Sequence, residues 1–222
     1  IPNFFCKAYR PVLYIPSKEE VKELLQKMDI RTSHNSEQFR LDRECKILFL
    51  LYFCCGLRLS EGRLLKWEHI DLDKGILTVL GSKGNKDRLV YLPQDSLPVL
   101  KNYKERQEML FPGIDWAFPG KDPHKPVSCS GIESSFNRHW AMLPVARTVD
   151  KHPTPHCLRH AFVVERFNEW MRQGIDTNTM LPYLSRYLGH KSPDKTYYYY
   201  HLVEKAFDTI REKDSVSGKV IP

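Results

Sequence analysis

The sequence predicts an α+β domain, mainly helical, with a small antiparallel β-sheet or hairpin. Three observations carry this. The chain has 222 residues, 41% of them hydrophobic, enough for one domain with a packed core. Apolar residues recur at helical spacing along most of its length. One stretch, "GILTVLGSKGNKDRLVYLP" (residues 75–93), instead sets two β-rich segments around a Gly- and Asn-containing turn.

Residues 1–16 read as an extended, Pro-punctuated arm. Ser17 and Glu20 form a capping box that starts a helix, with Val21, Leu24, Leu25 and Met28 as its apolar stripe. Residues 31–40 read as a polar loop. "LDRECKILFLLYFCCG" is apolar nearly all round, which predicts a buried central helix stopped by Gly56. A short helix follows, with Ser60 as its cap. Then come strands Ile76–Leu80 and Leu89–Leu92, whose hairpin tip carries Lys83, Lys86 and Arg88. Further helices are expected over 95–110, 130–143, 156–173, 177–187 and 193–213, the last capped by Ser192 with Pro193 in its first position.

Composition narrows the function classes. The net charge is +7, from 34 Lys plus Arg against 27 Asp plus Glu, which suits a polyanionic partner. No apolar run approaches the ~20 residues that span a bilayer, so no membrane partner is expected. The six cysteines, Cys6, Cys45, Cys54, Cys55, Cys129 and Cys157, form no CxxC pair and read as buried free thiols of a reducing cytoplasm. His152, His156 and His160 recur every four residues, but Pro153 and Pro155 interrupt any continuous histidine face.

Three patches carry chemistry. In "CGLRLSEGRLLKW", Arg58 follows the glycine that ends the buried helix, and Glu61 lies within reach of the same face. In "TPHCLRHAF", His156 and Arg159 share a face near a helix start, where free N–H groups and the dipole favour an anion; His160 points elsewhere. In "LGHKSPDKTYYYYH", His190 sits in a turn ahead of four consecutive tyrosines. Extending the later stripe of Val203, Ala206, Phe207 and Ile210 backward puts both Tyr199 and Tyr200 on one face, so periodicity leaves that choice open.

In this order, "GLRLSE", the basic hairpin "GSKGNKDR", "HCLRH" and "LGH" with its following "YYH" resemble the catalytic domain of the tyrosine recombinases, the phage integrase family, over about residues 17–211. The resemblance implies the catalytic core fold of DNA breaking–rejoining enzymes. It implies Arg58 and Arg159 as an arginine pair, His156 and His190 as two histidines, Lys83 as the hairpin lysine and Tyr199 as nucleophile, with Tyr200 as runner-up. It further implies residues 1–16 as a linker from an N-terminal DNA-clamping domain, 17–213 as the catalytic domain and 214–222 as a tail. Expected partners are double-stranded DNA and other protomers in a synaptic complex, in a bacterial, nucleoid-associated cytoplasmic setting such as a mobile element or transposon. No cofactor, metal or ATP is implied.

The residue types suit that reaction. Two permanently charged, fork-shaped guanidiniums match phosphate oxygens. A phenol titrates near pH ~10 and needs a partner to take its proton, which a histidine or the phosphate itself would supply. A lysine near the leaving 5′-oxygen is a natural acid, with Lys86 as the alternative. Lys66, Lys86, Arg88, Lys121, Lys125, Arg138, His139 and Arg186 are candidate phosphate contacts. Three other readings fit less of the pattern: a type IB topoisomerase or telomere resolvase, a non-enzymatic basic DNA-binding module, and a helical interaction domain.

Overall fold

The computed structural model describes residues 14–31, 34–82 and 86–190 together with Ser192, Thr196 and Tyr199. Ser17 Oγ accepts the Glu20 N–H at 3.2 Å, and the Glu20 carboxylate accepts the Ser17 N–H at 2.8 Å. This capping box starts α1 (Lys18–Lys27) as expected. Just ahead of it, Tyr14 donates to Glu20 Oε1 at 2.6 Å and packs edge-on against Trp140.

Helix α2 (Ser36–Cys55) begins before the apolar run, inside what the sequence marks as loop. Asn35 Oδ1 accepts the N–H groups of Glu37 and Gln38 and so caps it. Its length and nearly continuous burial make it the central helix, packed against α1, α3 (Leu59–Arg63), α4 (Leu97–Leu110), α5 (Cys129–Trp140) and α6 (Cys157–Arg172). Gly56 ends it at φ 62°, in the left-handed region where a side chain is strained. Gly62 in α3 is buried for a different reason. A Cβ there would lie 2.5 Å from Tyr52 Cε1 and 2.8 Å from Leu48 Cδ1. Ser60 is not the cap of α3; Arg58 holds that position, and Glu61 reaches back to its N–H.

The sheet has three antiparallel strands in the order β1 (Ile70–Asp71), β2 (Ile76–Ser82) and β3 (Lys86–Tyr91), one more strand than the sequence suggests. Leu77 pairs with Val90 and Val79 with Arg88, and a bulge follows between Val79 and Ser82. Successive residues of a strand point to opposite faces. Leu77, Val79 and Val90 are buried, so Arg88 points inward with them while Leu89 and Tyr91 face out.

Helix α7 (Thr177–Tyr187) packs on α6 and β3. One apolar cluster fills the space between α1, α2, α5 and the sheet; a second, of Phe162, Val163, Phe167, Leu181, Leu184, Leu188 and Tyr199, lies on the α6–α7 side. Of the helix expected over 193–213, Thr196 and Tyr199 are helical and the rest lies outside the described residues, as do Lys83 and Tyr200. Among the described residues, no helix is long and apolar enough to cross a membrane. The cysteines described are free, but Cys129, at the start of α5, is exposed rather than buried.

Candidate active site

Three chain turns meet at one point: the α2–α3 corner, the start of α6 and the turn after α7. Arg58 donates from Nη1 to Glu61 Oε1 at 2.6 Å and from Nη2 to the Gly189 carbonyl at 2.7 Å. Arg159 donates from Nη2 to the neighbouring Leu188 carbonyl at 2.8 Å and from Nη1 to the Gly56 carbonyl at 2.5 Å. The two guanidiniums therefore converge on consecutive carbonyls of one turn. They differ in exposure: the Arg58 side chain keeps 20% of its surface open, and that of Arg159 only 2%. Burial first, then the charge of Arg58, lowers Arg159 to about 10, which leaves it a cation at neutral pH.

Glu61 binds the arginines together. Its side chain is 5% exposed and accepts two bonds from Arg88, at 2.8 and 2.7 Å, besides those from Arg58; Arg159 Nη1 lies 3.8 Å away. Burial alone would raise this carboxyl, but the Arg88 and Arg58 hydrogen bonds outweigh it and hold Glu61 at about 2. Glu61 thus orients the arginines. Arg88 is not a phosphate contact: it is spent on Glu61 and on the Tyr187 carbonyl at 2.8 Å.

The histidines have distinct partners. His190 Nε2 lies 3.1 Å from Arg159 Nη2. A guanidinium only donates, so Nε2 carries the lone pair and Nδ1–H donates to Thr196 Oγ1 at 2.8 Å. His156 holds the N-cap position of α6, on the exposed side of the site. The protein packed around its ring, then Arg159 and Arg58, lower its pKa.

His160 does not point elsewhere. Its Nδ1 lies 2.5 Å from the Tyr199 hydroxyl, and its ring stands edge-on to His156 with centroids 4.7 Å apart. Burial first, then His156, Arg159 and His190, hold His160 at about 4, so it is neutral at pH 7. The signal was present in "HCLRH", where the second histidine follows one full turn after the first. What the sequence lacked was Tyr199, 39 positions away. Tyr199 itself is 5% exposed.

Five of the six expected site residues, Arg58, His156, Arg159, His190 and Tyr199, thus lie around one turn-rich corner; Lys83 lies outside the described residues. Besides Arg88, two more expected phosphate contacts are structural instead. His139 is fully buried, with Nδ1 on the Ser135 carbonyl at 2.8 Å. Arg138 pairs at 2.8 Å with Asp42, which is buried and also accepts from Ser135 Oγ. Lys121, Lys125 and Arg186 are on the surface, and Lys66 lies over Trp116 between Glu68 and Asp115.

The sequence profile of the phage integrase family matches residues 17–206. The chain is 30% identical over 211 residues to the putative integrase/recombinase y4rB of Sinorhizobium fredii, covering 88% of this chain and 63% of that protein. It is 32% identical over 207 residues to tyrosine recombinase XerA of Pyrococcus furiosus, covering 92% and 63%. The chain thus spans less than two thirds of the length of these curated relatives. The fold is shared with the crystal structure of XerA recombinase, at TM-score 0.64 and 24% identity over 97% of this chain and 69% of that one. The catalytic domain of bacteriophage HP1 integrase also has it, at TM-score 0.53 and 18% identity over 95% and 100%. The matched span begins at the α1 cap and runs past Tyr199, taking in every element that builds this corner, and the chain belongs to the phage integrase family of tyrosine recombinases.

Proposed function

We propose that this chain is the catalytic domain of a site-specific DNA recombinase or integrase, which breaks and rejoins DNA through a 3′-phosphotyrosine intermediate. The observation that carries the reading is the convergence of Arg58 and Arg159 on the Gly189 and Leu188 carbonyls, immediately before His190, at the corner where His160 on α6 contacts the Tyr199 hydroxyl. Two clustered guanidiniums stabilise the charge that builds on the non-bridging oxygens of a pentacoordinate phosphorus. Arg58, whose side chain keeps 20% of its surface open, is the arginine that reaches the phosphate; Arg159, only 2% open, supplies mainly charge. His156 and His190 flank the same phosphate. Lys83 protonates the leaving 5′-oxygen.

Tyr199 attacks phosphorus, the P–O5′ bond breaks, and the ester stores the energy of the lost bond until another 5′-hydroxyl attacks it. Residues 17–213 form this unit, with 1–16 as the linker from a DNA-clamping domain. Its partners are double-stranded DNA and further copies of the chain. In support, XerH recombinase is known bound to difH substrate, and the Tn1549 transposon integrase in complex with a circular intermediate DNA.

The test is covalent capture. The protein is incubated with a library of nicked duplexes of random sequence, adducts are isolated under denaturing conditions, and the modified residue is located by mass spectrometry. The expected result is an adduct on Tyr199 that Tyr199→Phe abolishes while non-covalent DNA binding persists. No adduct, or an adduct on another residue, overturns the reading.

A further inference from the structure

The reaction proposed above needs a group that takes the phenol proton as the Tyr199 oxygen attacks. Resting on that reading, we propose that His160 is this base, acting through Nδ1. Its Nδ1 is in hydrogen-bond contact with the Tyr199 hydroxyl, at 2.5 Å. The other two histidines are otherwise placed. His190 has its Nε2 lone pair on Arg159 and its Nδ1–H on Thr196. His156 stands on the exposed side of the site, edge-on to the His160 ring.

The environment keeps the His160 lone pair available. The charged and titratable groups facing it among the described residues are His156 and Arg159 on its own helix, His190 from the turn after α7, and Tyr199. All three nitrogen-bearing neighbours disfavour an imidazolium, and burial adds to them. With Nδ1 unprotonated and Nε2 bearing the hydrogen, the phenol O–H donates to Nδ1. Binding a phosphodiester between the arginines places a negative charge beside this group and makes it a stronger base when the proton must move.

The step balances. The Oη–H bond of Tyr199 breaks and its proton goes to His160 Nδ1, while the Oη–P bond forms and the P–O5′ bond breaks; the leaving oxygen takes a proton from Lys83. When a second 5′-hydroxyl attacks phosphorus, His160 Nδ1–H returns the proton to the departing phenol oxygen.

The test compares the wild-type chain with His160→Asn on a nicked duplex recovered by the covalent capture above, under single-turnover conditions. Asparagine Oδ1 occupies the place of Nδ1 and accepts the Tyr199 hydrogen bond, but cannot carry the proton away. The expected result is adduct formation slowed about 10²-fold at pH 7. The variant's rate should climb about tenfold per pH unit toward the ordinary phenol range near 10, whereas the wild-type rate stays level from about pH 6 upward. A variant as fast as wild type, or slower with the same level profile, overturns the assignment of His160 and leaves the Tyr199 reading intact. Failure of the wild-type chain to form any Tyr199 adduct overturns both. Nitrogen-15 NMR of the wild-type imidazoles guards against a variant that fails to fold: His160 must be the Nε2–H tautomer at pH 7, and an Nδ1–H tautomer sinks the proposal.

Discussion

Glu61 and Arg88 form a two-pronged ion pair, with both Nη atoms of Arg88 on the two carboxylate oxygens at 2.8 and 2.7 Å. Their side chains are 5% and 10% exposed. The pair ties strand β3 to the short helix behind Arg58. A fork-to-fork pair fixes direction as well as distance, so the position of the hairpin depends on the box that holds the first arginine.

Glu61→Gln should lower stability at pH 7 by about 3 kcal/mol, because the carboxyl is held near 2 rather than at the ordinary 4.5. The folded-state value lies below the unfolded one. Its contribution is therefore fully present above pH 4.5 and lost as the pH falls through that value toward 2. Urea unfolding of both proteins between pH 7 and pH 3 should show the gap closing from the wild-type side.

Arg159→Lys and Arg58→Lys should separate folding from chemistry. Lysine at 159 leaves the Gly56 and Leu188 carbonyls short of donors in a buried site, at a cost of about 3 kcal/mol. At the more open position 58 the cost should be about 1 kcal/mol. Both should lose covalent DNA capture. Thermal unfolding with the adduct assay checks this; equal destabilisation of the two would contradict the burial difference.

Gly62→Ala should destabilise the protein by about 1–3 kcal/mol although alanine favours helix. The added methyl meets Tyr52 and Leu48, and Tyr52 is anchored by its hydroxyl on the Leu59 carbonyl at 2.9 Å. Chemical denaturation decides: a stabilised variant would mean that the ring moves aside freely.

His139→Ala should lower stability and leave the salt dependence of DNA binding unchanged, since the imidazole is fully buried on Ser135. Arg186→Ala, at an exposed position, should instead reduce the slope of log affinity against log salt by about 1. Titrations at several ionic strengths distinguish the two.

Much of this was legible beforehand. The Ser17–Glu20 box, the Gly56 stop and the strand pairing all rest on residues close in the chain, where one side chain and a nearby backbone decide the outcome. The order of the arginine, histidine and tyrosine boxes is likewise written along the sequence. The start of α2 is not legible in the sequence because Asn35 and Ser36 sit in a polar stretch whose composition outweighs its capping chemistry.

The sequence by itself determined the family, the helical architecture and the residues able to handle a phosphodiester, because motif spacing and hydrophobic period are local properties. Only the tertiary structure decided which cations remain available. Arg88, Arg138 and His139 were turned inward, and His160 was brought to Tyr199. Charge is written in the residue type, but desolvation and hydrogen-bond partners depend on neighbours distant in the chain, and those neighbours set whether a basic side chain meets DNA or holds the protein together.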